Sequence, residues 1–205
     1  MHTPRSITLV FLSLLLAVSC ALYYPQQAAT EAKAKQLAAV LASATEPVSL
    51  DARTKSASCA GHDNSPDHAC TPGAVFPDVT LAKICTRGYT QTVRNVPTKL
   101  RLQVFAEYGI PYPQPSGSYE VDHLIPLAIG GSNDIANLFP QPAEPVPGFR
   151  EKDLVEVYLQ DEVCARRADL HVAQVRIADN WLAIYDNIPP ETLAAIKAKY
   201  HNWSN

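Results

Sequence analysis

An aspartate and a histidine stand side by side at Asp122-His123, near the end of the stretch Tyr119-Glu120-Val121-Asp122-His123-Leu124. Together they offer an oxygen ligand for a hard cation and an imidazole that takes up a proton near neutral pH. Fourteen residues after the histidine, beyond Gly130-Gly131, comes Asn137, whose amide can brace the intervening loop and hold the histidine in orientation. Glu151, Lys152, Asp153 and Glu156 add charge shortly afterwards. The chemistry on offer is proton transfer beside a bound cation. Alone, an Asp-His pair is often a plain ion pair or turn element; the turn, the asparagine and the charged segment that follows point to catalysis.

The elements that must position these groups can be placed from pattern. Tyr119 to Leu124 alternates with β-favouring residues, and Gly130-Gly131 and Asn133-Asp134 are turn signals before the apolar run Ala136 to Phe139. Two short strands around a glycine turn are therefore predicted. Consecutive strand residues point to opposite faces, so Asp122 and His123 share one site only if the backbone kinks or bulges there. Pro140, Pro142, Pro145 and Pro147 forbid regular pairing until Glu151, where Leu154, Val155, Tyr158, Leu159 and Val163 return at helical spacing. Helices are also expected from Pro97 to Gly109, from about Ala168 to Tyr185, and from Pro189-Pro190-Glu191 to near Tyr200. Helix, hairpin, then three helices make a small α+β domain.

A formal charge of -3 over 205 residues argues against a protein that coats nucleic acid by bulk charge. The average hides a segregation. From Val79 to Ala106 the chain carries Lys83, Arg87, Arg94, Lys99 and Arg101 and no acidic residue, a segment suited to tracking phosphates without reading bases. At the N-terminus, the uncharged run Ile7 to Leu22 follows Arg5 and contains Ala17-Val18-Ser19-Cys20, which reads as an export signal over 1–20. Likeness to the bacterial lipobox adds lipidation, and so membrane attachment, at Cys20; cleavage after Ser19 and an uncleaved anchor are the alternatives, with export under all three. Residues 21–58 are expected to form a tether with one weak helix, and 59–205 the compact domain. Export exposes Cys59, Cys70, Cys85 and Cys164 to an oxidising space where three pairings are open to them.

The segments Tyr119-Glu120-Val121-Asp122-His123-Leu124-Ile125-Pro126-Leu127-Ala128-Ile129-Gly130-Gly131, Asn137-Leu138-Phe139-Pro140-Gln141-Pro142 and Lys152-Asp153 resemble the HNH (ββα-metal) nucleases. More narrowly, the chain is similar to small exported bacterial proteins carrying that signature, from Ile84-Cys85-Thr86-Arg87-Gly88-Tyr89 with Arg94 to Val163-Cys164 and Ala178-Asp179-Asn180-Trp181. The resemblance implies a ββα-metal core over 119–160 with flanking helices, in a monomer that hydrolyses nucleic acid with little sequence preference, DNA ahead of RNA. His123 would be the general base, Asn137 the brace, and Asp122 the ligand of one divalent cation: Mg²⁺ first, with Mn²⁺, Ca²⁺, Zn²⁺ or Ni²⁺ as alternatives and no small-molecule cofactor. The third HNH position, usually His or Asn, is missing between Ala143 and Cys164. Glu151, Asp153 or Glu156 as oxygen ligand and Lys152 as phosphate contact are the candidates, the resemblance favouring Lys152 and Asp153; a solvated Lys152 paired with Glu156 is the alternative. Arg87 and Arg94, with Lys99 and Arg101, would contact the nucleic acid. The exported relatives share the cysteines matching Cys85 and Cys164, which pairs those two and leaves Cys59 with Cys70. The missing third residue keeps a second class open: a disulfide-stabilised exported binding or envelope protein that retains the ββα shape without catalysis.

Overall fold

Two short strands, β1 (Tyr119–His123) and β2 (Leu138–Pro142), pair antiparallel at the centre of the computed structural model, with Asp122 opposite Phe139 and His123 opposite Leu138. The structure describes residues 27–41 and 50–200. The ladder runs through Pro140 and Pro142, against the expectation that prolines would exclude pairing. The reason lies in the register. Hydrogen bonds from Leu124 N to Asn137 O and from Ala143 N to Ser118 O bracket the hairpin, and alternation between them leaves both prolines at positions where no N–H is needed.

Among the described residues seven α-helices surround this ribbon: α1 (27–41), α2 (Leu81–Ile84), α3 (Tyr89–Val93), α4 (Thr98–Glu107), α5 (Phe149–Cys164), α6 (Leu170–Asn187) and α7 (Pro190–Lys199). The architecture is mixed α+β. Helix α5 begins two residues before the expected Glu151, because Glu151 reaches back to accept from Gly148 N at 2.9 Å and ties the first turn. Its stripe of Leu154, Val155, Leu159 and Val163 packs with Ala173, Ile177 and Trp181 of α6 in the main core. Asp169 caps α6 by accepting from Val172 N at 3.0 Å.

Part of the expected tether belongs to this body. Leu37 and Leu41, one turn apart on α1, are buried in the core, and Leu41 O accepts from Asp169 N at 3.1 Å. Composition alone marked α1 as a helix but could not reveal the apolar partner for its stripe. The export signal at 1–20, with Cys20, lies outside the described residues; among those described, no helix is long and apolar enough to cross a membrane.

Disulfides join Cys59 to Cys70 and Cys85 to Cys164, the pairing implied by the resemblance. The second spans 79 residues and fastens the basic segment at the end of α2 to the last turn of α5. It thereby fixes the position of Arg87 and its neighbours relative to the hairpin and helix.

Candidate active site

The backbone immediately after His123 is held by one fully buried amide. Asn137 Oδ1 accepts from Ile125 N at 2.9 Å and Ala74 N at 3.3 Å, while Nδ2 donates to Ile125 O and Ser132 O, both at 2.9 Å. Both protons and both lone pairs are used. Gly131 makes this approach possible, since a Cβ there would fall 1.7 Å from Ile125 O. Pairing of β1 stays regular through His123, without the bulge expected at Asp122-His123; the kink falls directly after the pair, at the bend Leu124-Ile125 where the Asn137-braced loop begins.

His123 is 3% exposed, and its ring is held by a residue that sequence reading took only as a turn signal, Asn133. Asn133 Nδ2 donates to Val93 O at 2.7 Å and Oδ1 accepts from Asn95 N at 3.1 Å, so the amide cannot be turned round without losing both. The same Oδ1 lies 3.1 Å from His123 Nε2. The network therefore assigns the proton to Nε2 and the free lone pair to Nδ1. Burial pushes the imidazole down to about 4; Asp122 and the Asn133 hydrogen bond oppose this, while the positive charges of Arg94 and Lys152 add to it. The ring is neutral at pH 7. The two tasks expected of Asn137 are thus divided: Asn137 braces the loop, and Asn133 orients the histidine.

On the side of the hairpin covered by α5 the chemistry is charged. Asp122 Oδ1 accepts from its neighbour's backbone N–H at 2.7 Å. Its Oδ2 lies 2.8 Å from Lys152 Nζ, an ion pair in distance but outside the angles of a directed hydrogen bond. Lys152 is completely buried and donates to His123 O at 2.7 Å and to Glu156 Oε1 at 2.6 Å. Burial works against its charge, but Asp122 and Glu156 outweigh it and hold the ammonium above the ordinary lysine range. Burial raises Glu120 to about 7, reinforced by Asp122 and Glu156. It raises Asp153 to about 8, reinforced by Glu156, Asp122 and Glu120. Glu156 is raised to about 7 by burial in spite of Lys152. Four carboxylates thus crowd one ammonium, with the charge of Arg94 felt by Glu120 and Glu156.

This geometry moves two expected residues. Lys152 lies neither on a solvated face nor where a phosphate could meet it; the acid on β1 makes burial of its ammonium tolerable. Glu151 spends its carboxylate on Gly148 and so is not part of the cluster. Asp153 is brought to Asp122, and Glu120, which sequence reading passed over, joins them; the signal was its i, i+2 spacing from Asp122, which puts both on one strand face. Hard oxygen donors, an acid excess and an incompletely paired Asp122 Oδ2 fit a divalent cation in donor type and charge. Among the described residues no three His, Cys, Asp or Glu side chains are already gathered as a coordination set.

Two grooves flank the cluster and share the exposed Arg94. One, of about 460 Å³, is lined also by Arg101 and Glu120. The other, of about 430 Å³, is lined also by Arg87, Glu156 and the Cys85–Cys164 disulfide. Arg101 Nε donates to Val96 O at 3.1 Å, and Lys99, exposed on α4, lines neither groove. Compared with protein-family models, curated proteins and solved structures, the chain matches none.

Proposed function

We propose that the chain is an exported, divalent-cation-dependent endonuclease of the HNH type, hydrolysing phosphodiester bonds of nucleic acid, DNA ahead of RNA, with little sequence preference. In this reading β1, β2 and α5 form a ββα-metal core. The observation that carries it is His123: a buried, neutral imidazole with its tautomer fixed by Asn133, adjoining a carboxylate cluster between two arginine-lined grooves. The two disulfides support an oxidising destination.

His123 Nδ1 takes the proton of a water attacking phosphorus, and the Asn133–Val93 hydrogen bonds keep the ring aimed as it does so. An anionic phosphate beside the ring raises its basicity from the low value of the free chain. Asp122 and Asp153 are the residues that would hold the cation, which when bound offsets charge on the phosphoryl and leaving oxygens. Arg94, reachable from both grooves, neutralises the phosphate backbone as it crosses the site.

Incubating plasmid DNA with the disulfide-bonded chain and Mg²⁺ or Mn²⁺ is expected to give nicking that chelator stops. His123→Ala should lower it about 10²–10⁴-fold. Uncut DNA under every metal, or equal cutting by the variant, defeats the proposal. A second reading, binding without cutting, draws on Lys152, whose ammonium already neutralises Asp122 and Glu156. The same assay separates the two.

A further inference from the structure

The groove of about 460 Å³ beside the acid cluster carries an aromatic surface that the hydrolytic chemistry does not use. Tyr112 is 55% exposed, yet its ring is not loose. It lies 5.5 Å, centroid to centroid, from buried Phe105, which meets Tyr119 edge-on at 6.3 Å. Arg94 and Arg101 line the same groove, and at its rim Arg150 lies over the Phe149 ring, 4.6 Å from the centroid. Among the described lining residues Glu120 is the one carboxylate, so the groove combines a backed tyrosine and two guanidinium groups with one member of the cluster.

A supported aromatic face suits any base, because every base has a π surface, and guanidinium groups suit the phosphates on either side of it. The volume is in the range of small-ligand sites, enough for a unit of nucleotide size. A duplex keeps its base faces stacked on one another and offers none to Tyr112. A single strand has them free.

We propose that this groove seats an unpaired nucleotide of single-stranded nucleic acid, its base against Tyr112 and its flanking phosphates on Arg94 and Arg101, which brings the adjoining phosphodiester to the acid cluster at Glu120. This rests on the nuclease reading and narrows its substrate to single strands or unpaired regions.

Fluorescence anisotropy in chelator tests it, with labelled oligothymidylate of about 12 nucleotides against a duplex of equal length, within the footprint of known single-strand grooves. The full chain with both disulfides should bind the single strand more tightly than the duplex. Tyr112→Ala should weaken single-strand binding about tenfold and leave duplex binding within about twofold, while Tyr112→Phe keeps the wild-type affinity. Arg101→Gln should reduce the salt dependence of single-strand binding by about 0.7 in log–log slope. Equal loss on both ligands, no loss, or no single-strand binding overturns the proposal. Metal-dependent cutting of single strands that ignores Tyr112→Ala removes the groove and leaves the nuclease. Tyr112-dependent binding without cutting under any metal keeps the groove and removes the nuclease.

Discussion

The two sides of β1 are built on opposite principles. Beyond its end, Asn137, Asn133 and the loop backbone form a neutral network in which the amide groups and the backbone atoms they meet are paired. Under α5, Glu120, Asp122, Asp153 and Glu156 surround a single buried ammonium, and three of the four are driven above their ordinary range. A neutral network is complete once folded. An acid excess is complete only when protons or a further cation join it. The neutral side therefore holds an uncharged imidazole in a fixed tautomer, and the charged side holds an open demand for positive charge.

The sharpest test of that contrast compares one variant on each side. Asn137→Ala strands two N–H and two carbonyl groups in the interior and is expected to destabilise by about 3–5 kcal/mol, nearly independently of pH. Lys152→Met leaves Asp122 and Glu156 without their ammonium, also at about 3–5 kcal/mol, but with a loss that is larger at pH 8 than at pH 5, where Glu156 is protonated. Denaturant titrations at both pH values check this. Equal pH dependence in the two variants would erase the distinction.

In the parent chain the two sides should respond to pH with opposite signs. His123 is lowered from 6.5 to about 4, so the unfolded chain binds its proton first; the associated stability is present above pH 6.5 and is lost as pH falls towards 4, by roughly 3 kcal/mol at most. Glu120, Asp153 and Glu156 are raised to about 7–8, so the folded chain holds protons that the unfolded chain releases. Their share of stability is present near pH 4 and is lost as pH rises through 7 and 8. The two windows overlap between about pH 4.5 and 6.5, where three carboxylates outweigh one imidazole, so the thermal unfolding temperature should fall from about pH 5 to pH 8, and less steeply below 6.5 than the carboxylates alone would make it. Added Mg²⁺ should reduce the loss at pH 8, where the carboxylates are ionised, and leave stability near pH 5 unchanged.

The smallest effect belongs to orientation. Asn133→Ala frees the His123 ring and parts it from Val93 and Asn95 without disturbing Asn137, so cutting should fall about tenfold, with a measurable shift in its acid pH limb and little change in substrate affinity. An unchanged pH profile would give Asn133 a structural role only.

The architecture was largely legible because it rests on local rules. Alternation over Tyr119 to Leu124, the glycine turn and the apolar return at Leu154 located the hairpin and α5 within a few residues. The charged side was harder to read. Lys152 looks like a surface residue in any linear pattern, since nothing along the chain says that Glu120 and Asp122, some thirty residues earlier, lie beneath it. Asn133 and Tyr112 were missed for the same reason: one meets Val93 across forty residues, and the other owes its fixed ring to Phe105.

By itself the sequence determined the hairpin and the longer helices, though not the short α2 and α3, together with the segregation of basic residues before the hairpin and the adjacency of a carboxylate and an imidazole, because propensity, periodicity and covalent neighbours act over short spans. Tertiary structure decided which nitrogen of His123 is basic, which carboxylates share one ammonium and which arginine belongs to both grooves. Hydrogen bonding and burial depend on distance in space, and long-range contacts set that distance.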